Sequence, residues 1–206
     1  MYRPLSCDAA TGRKRSPAAY GAILETTHKL LEEIGFEKLT IEGVAARAGV
    51  GKATIYRWWP SKGALVVEAF LTAVAPATAF TLGDSASEDI RAQSRRLARA
   101  YNGKTGKIVR EMIGSGQFDP ETMRLFDKGY LKPRREAAKQ VLQRGIAQGE
   151  FRHDIDLDAV VDALYSPIFY RLLVGHAGND EQFVKSLVDL ILGGIALKAT
   201  KPRRGA

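Results

Sequence analysis

The chain has 206 residues, room for one medium domain or for one small and one medium domain with separate cores. Hydrophobic residues make up 45% and charged residues 26%, the balance of a soluble globular protein, and no uninterrupted apolar stretch reaches the roughly 18 residues of a membrane span. The net charge of +8 is concentrated at the ends: residues 1–63 hold ten Lys and Arg against six acids, residues 198–206 hold four and none, and the 134 residues between are balanced.

An excess of positive charge toward the N-terminus suits a polyanion, because Lys and Arg that neutralise phosphates release counterions. The C-terminal run Lys201 to Arg204 either shares that role or only aids solubility. No charged stretch followed by an apolar one opens the chain, so no secretory leader is expected and a cytoplasmic location follows. Cys7 is the single cysteine and has no partner for a disulfide or a thiolate metal site.

Residues 1–16, with Arg13-Lys14-Arg15 and no periodicity, read as a flexible basic arm that either touches DNA or is solvated. From Pro17, with Ser16 as N-cap, Ile23, Leu24, Leu30, Leu31 and Ile34 recur on one helical face. Gly35 ends that helix in the left-handed conformation, and Phe36 folds back on its end. Thr40 caps a short helix with apolar Ile41, Val44, Ala45 and Ala48, closed by Gly49; Gly43 at its third position rules out a capping box. A second short helix spans about Gly51 to Trp58, Pro60 cannot continue it, and Ser61 caps a longer helix toward Pro76. Further helices are predicted over 86–101, 104–116, 120–148, 156–175 and 180–198, separated by turn chemistry at Asn102-Gly103, Asp119-Pro120, Gly149 and Gly178-Asn179, and no segment reads as a strand.

Two short helices joined through Gly49-Val50-Gly51 are what a helix-turn-helix needs. Ala45, Ala46 and Ala48 would let the helices approach, Val44, Val50 and Ile55 would fill the space between them, and Lys52, Ala53, Thr54 and Arg57 would face outward. Thr54 can bond a base edge or pack on a thymine methyl, and Lys52 can reach a base or a phosphate.

The stretch Leu39 to Lys62 resembles the DNA-binding signature of the TetR family of bacterial transcriptional regulators. The resemblance implies phosphate contacts by Thr40 and Lys62, a phosphate or edge contact by Tyr56, and base-facing Lys52, Ala53 and Thr54. Three positions depart from the usual pattern: Gly51 stands where a small hydroxyl residue often caps the recognition helix, Trp58 where His is common, and Gly63 where an acid is common. Gly51 and Trp58 still fall within the expected interface, Trp58 either as a DNA contact or as an aromatic cover over the helix junction. Arg57 is either a phosphate contact or a solvated residue, and Trp59 reads as core.

The resemblance further implies C-terminal helices that dimerise and enclose a small-molecule effector. Val160, Val161, Leu164, Ile168, Leu172 and Leu173 would line one dimerisation helix, and Phe183, Leu187, Leu190, Ile191 and Ile195 the other, unless the two pack within one chain. Residues 144–173 also resemble one C-terminal subgroup of the family. Met112, Phe118, Met123, Phe126, Tyr130, Tyr165, Phe169 and Tyr170 are candidate effector-pocket residues, with plain core as the alternative for each.

Asp154-Ile155-Asp156-Leu157-Asp158 mimics half an EF-hand loop, but Ala159 and Tyr165 replace the required Gly and Glu, which leaves Asp156 as a helix N-cap. His28, His153 and His176 have no metal-ligand spacing, and no nucleophile elbow, Walker loop or dinucleotide fingerprint occurs, so neither cofactor nor enzymatic activity is expected. The expectation is an all-α protein: an arm over 1–16, a three-helix helix-turn-helix domain over 17–63, a helical effector-binding and dimerisation domain over 64–198, and a basic tail over 199–206. Its partners would be a palindromic double-stranded DNA operator, a second copy and an effector, with no membrane. A homodimeric repressor released by its effector fits this best; a regulator or activator without effector, or an enzyme keeping a vestigial helix-turn-helix, are the alternatives.

Overall fold

The computed structural model describes residues 16–74 and 76–197; the expected arm lies almost wholly, and the expected tail wholly, outside them. The helices are α1 (Pro17–Lys38), α2 (Ile41–Ala48), α3 (Lys52–Tyr56), α4 (Lys62–Val74), α5 (Ala86–Tyr101), α6 (Lys104–Gly116), α7 (Pro120–Phe126), α8 (Lys132–Ala147), α9 (Leu157–Val174) and α10 (Glu181–Ile195). Among the described residues the only β-type pairing is an isolated bridge between Phe151 and Ala196, and no helix is long and apolar enough to cross a membrane.

The chain divides into two compact units, one reaching to Thr78 and including Gly103–Pro133, the other comprising Ala79–Asn102 and the residues from Arg134 on. The first is larger than the expected 17–63 segment because α6 packs on α1, and α7 packs on α4 and α6. Its centre is α4, which is buried on nearly all sides from Gly63 to Leu71, with Phe70 edge-on to Tyr130 (5.1 Å between centroids) and tilted against Phe126 (6.0 Å).

Local chemistry sets most helix ends. Ser16 caps α1 by accepting from the Ala19 N–H at 3.4 Å, Ser61 accepts from the Ala64 N–H at 3.1 Å, and Asp156 accepts from the Asp158 and Ala159 N–H groups at 2.8 and 3.1 Å. Gly35 does break α1, but with φ 82° and ψ 172°, an extended mirror conformation open essentially to glycine alone rather than the left-handed helical one. Beyond it the helix resumes to Lys38, Phe36 is buried, and Ile34, placed in the core by its spacing, is 41% exposed.

The predicted helix over 120–148 runs without a gap to Ala147, but not in a single hydrogen-bond register. A π turn over Asp127–Leu131 separates α7 from α8. Pro133 supplies the reason: it has no N–H to give the carbonyl four residues back, Gly129, and its ring crowds that carbonyl, so the backbone widens just before it.

In the second unit α10 packs on α5 and α9 around Ile90, Leu142, Phe151, Val161, Leu164, Val188 and Leu192. Val160, Val161, Leu164, Ile168 and Leu172 of α9 and Ile195 of α10 are therefore buried in their own chain and cannot line a dimer interface, a correction to the sequence reading. The exposed large apolar residues of α9 and α10 are Tyr170, Leu173 and Val174 on α9 and Leu190 (73% exposed) on α10, where Leu187 and Ile191 are half-buried. The Glu150 carboxylate reaches the start of α5, accepting from the Ala86 and Ser87 N–H groups at 2.7 and 3.0 Å and from the Ser85 hydroxyl at 2.9 Å.

Candidate nucleic-acid interface

The α2–α3 pair is built by two glycines and a small apolar seam. Gly49 closes α2 in the left-handed conformation (φ 66°), and Val50 donates back to the Ala45 carbonyl at 3.0 Å, which turns the chain sharply into α3. Val44 and Ile55 are fully buried and Ala45 nearly so, while Val50 and Ala48 are half-buried. Ala46 is exposed, so it takes no part in the helix crossing for which its small size recommended it. Gly51 offers no side-chain cap, and α3 is only five residues long, Lys52–Tyr56, before a turn through Arg57 and Trp58.

On the outer side, Thr40, Gly51, Lys52, Ala53, Tyr56 and Arg57 are exposed, and Thr54 and Lys62 are half-buried. Thr40 Oγ1 accepts from the Gly43 N–H at 3.0 Å, which fixes its rotamer and leaves its hydroxyl proton free to be donated. The Lys62 ammonium donates to the Glu37 carbonyl at 3.1 Å and lies 4.6 Å from the centre of the Phe36 ring, and burial pushes its pKa below the ordinary lysine value. Two cations of this surface are already paired: Arg47 with Glu33 of α1, and Lys52 with Glu42 of α2 at 3.1 Å.

Behind α3 lies an arrangement whose members are far apart in the sequence. Tyr20 of α1 stacks on Trp59 (5.0 Å) and packs tilted against Trp58 (4.7 Å). Glu68, 2% exposed on the otherwise apolar α4, accepts from the Trp59 indole N–H at 2.6 Å and from the Tyr20 hydroxyl. Trp59 is thus core, and half-buried Trp58 covers the junction between α1 and the end of α3. One charged residue inside an apolar run was the only hint, and nothing in the sequence named its partners.

The effector-pocket candidates fall in both units. Met112, Phe126 and Tyr130 are buried in the first, where Phe126 and Tyr130 stack at 5.1 Å. Met123 is half-buried and borders an open depression of 470 Å³ lined also by Gly116, Gln117, Pro120, Arg124 and Asp127. Phe118 is 93% exposed in the turn after α6, so it lines no interior in this structure. In the second unit the Tyr165 hydroxyl donates to Gln93 Oε1 at 2.8 Å, with its pKa raised by burial, and Phe169 meets Tyr101 edge-on at 5.3 Å. Tyr170 is 60% exposed beside His176, on the outer side of α9. Among the described residues no cluster of His, Cys, Asp or Glu is arranged to hold a metal ion.

Residues 23–69 match the family model for bacterial regulatory proteins of the tetR family, and residues 83–191 match the model for the tetracyclin repressor-like C-terminal domain. The chain belongs to the TetR family. As a TetR-family member it is a DNA-binding transcriptional regulator. It is 36% identical to the HTH-type transcriptional regulator YdeS of Bacillus subtilis over 191 residues, 92% of this chain and 96% of that one. It is 25% identical to the DNA-binding transcriptional repressor TetR of Mycobacteroides abscessus over 185 residues, 89% of this chain and 94% of the relative. The solved structure of the TetR family transcription regulator SCO0332 superposes with a TM-score of 0.77 at 33% identity, covering 86% of this chain and 98% of that one.

Within the TetR-family framework, the departure at Gly63 has a steric cause. A Cβ there would sit 1.8 Å from Thr122 Oγ1 of α7, so neither an acid nor an alanine fits while α7 packs on the start of α4.

Proposed function

We propose that this regulator is a homodimeric repressor which reads a palindromic operator through α3 and is released by a small-molecule effector bound in its C-terminal region. The reading rests chiefly on the exposed face of α3: Lys52, Ala53, Tyr56 and the partly exposed Thr54 project from a helix whose inner side, through Ile55, is seated on α2. Short side chains at Ala53 and Thr54 let the helix descend to the base edges, with Thr40 and Lys62 placed for phosphates. Tyr56, Arg57 and Gly51 complete the contact surface, and Trp58 supports it from behind.

Dimerisation is supported by Leu187, Leu190, Ile191 and Gly194, which recur on one stripe of α10, and by Tyr170, Leu173 and Val174 on α9. A Cβ at Gly193 or Gly194 would meet nothing within 4 Å, so a second helix has room to approach closely. An effector site is supported by the buried Ser94 hydroxyl and the Asn179 side-chain amide oxygen Oδ1, neither of which has a hydrogen-bond partner. Buried polar atoms of this kind are scarce in folded proteins and suit an interior that accepts a polar group from outside.

The test is selection of bound sites from random double-stranded DNA, each enriched site being rechecked at two salt concentrations. Recovery of a palindrome with half-sites about one helical turn apart is the expected result. Uniform, steeply salt-sensitive binding without enrichment would overturn it.

A further inference from the structure

The Lys52–Glu42 pair lies on the face through which this protein is proposed to meet DNA, and the inference drawn from it rests on that reading of α3. Lys52 is the first residue of α3 and Glu42 lies in the first turn of α2, two residues after Thr40. The ammonium donates to Glu42 Oε1 at 3.1 Å, and both side chains are more than half exposed, so the pair faces solvent rather than filling the α2–α3 seam. Glu42 is held on its own side as well: its carboxylate accepts its own backbone N–H, and this bond, followed by the Lys52 ammonium, keeps its pKa below the ordinary glutamate value.

We propose that Glu42 is a specificity-determining residue, which withholds Lys52 from DNA phosphates and presents its remaining N–H donors to a base edge. A lysine alone at this place would be a mobile point charge, satisfied by any phosphate and therefore by any sequence. With Glu42 at 3.1 Å the far field of Lys52 is cancelled, and a phosphate that approaches the ammonium also meets a carboxylate of its own sign. A guanine edge is different. Its O6 and N7 are neutral acceptors, and an ammonium that gives one donor to Glu42 has two left for them, so guanine can be bound without breaking the pair. Glu42 therefore weakens the binding common to all DNA more than binding to a site with the correct base opposite Lys52.

The experiment compares the full-length protein with Glu42→Gln, Lys52→Ala and the double variant. Affinities are measured for an operator recovered by selection and for random duplex of equal length, between 50 and 200 mM salt. Glu42→Gln is expected to bind random duplex about 3–10-fold more tightly and to steepen the log–log salt dependence by about 0.9, one additional phosphate contact, while the operator gains less. The ratio of operator to random affinity then falls, and in the Lys52→Ala background the same substitution loses most of its effect. An unchanged ratio and slope in Glu42→Gln, or an equal effect with and without Lys52, overturns the role of Glu42 alone. A wild-type protein that enriches no site overturns the reading of α3 itself, and with it the specificity role.

Discussion

At the scale of single residues, Glu68 and Glu150 are carboxylates that each accept hydrogen bonds from more than one donor. Glu68 accepts hydrogen bonds from the Trp59 indole N–H and the Tyr20 hydroxyl inside the first unit, so Glu68→Ala takes the acceptor from the buried Trp59 indole N–H. A loss of about 1–3 kcal/mol is expected in chemical denaturation. Trp58 and Trp59 are the only tryptophans, so the intrinsic emission of the variant should shift to the red, and the same signal should respond in the wild type when DNA binds. Glu150 is pushed up by burial but pulled down further by the Ser87 hydroxyl and N–H, the Ala86 N–H and the Ser85 hydroxyl, to a pKa of about 2. Because the folded value lies below the ordinary 4.5, its contribution is complete above about pH 4.5 and is lost as the pH falls toward about 2. Glu150→Gln should lower thermal stability at pH 7 by the equivalent of about 1 kcal/mol after allowance for solvent screening, and the difference from wild type should shrink by pH 3. An equal difference at both pH values would remove the carboxylate from this role.

At the scale of elements, close approach is decided at glycines the chain cannot exchange. A Cβ on Gly145 of α8 would stand 2.3 Å from the Phe151 ring and 2.9 Å from the Ala86 Cβ, and one on Gly63 would overlap Thr122 Oγ1. Gly145→Ala and Gly63→Ala should each cost about 1–3 kcal/mol in urea unfolding. Pairing Gly63→Ala with Thr122→Ala should return part of the loss, since the hydroxyl is the nearest obstacle; no recovery would mean that the backbone of α7 rather than that side chain sets the limit. Most helix ends were legible in the sequence because Ser16, Thr40, Gly49, Ser61 and Asp156 act within three or four residues of where they stand. The π turn before Pro133 was legible in principle, since proline removes a helical donor wherever it falls, but the apolar periodicity across 120–148 concealed it.

At the scale of the whole molecule, the unburied stripe of α10 carries the prediction. Leu190→Arg should leave the helical content intact, since Leu190 is 73% exposed, and yield a monomer in sedimentation. If operator recognition needs two half-sites, the same variant should lose affinity for the selected palindrome by more than about tenfold while keeping its weak binding to random duplex. A variant that stays dimeric would move the interface elsewhere. Sequence alone determined the all-helical class, the α2–turn–α3 unit and the TetR resemblance, because caps, helical periodicity and a contiguous signature are local and survive as patterns in one dimension. Only the tertiary structure decided which apolar faces remain open, that five of the α9 residues expected at a dimer interface serve their own core, that Phe118 and Tyr170 face outward, and that Glu68 joins Tyr20 to Trp59. Those outcomes depend on side chains separated by many residues, such as Tyr20 and Glu68, competing for the same space and the same protons. Helical periodicity says which face is apolar, and only the packing of every other helix says what covers it.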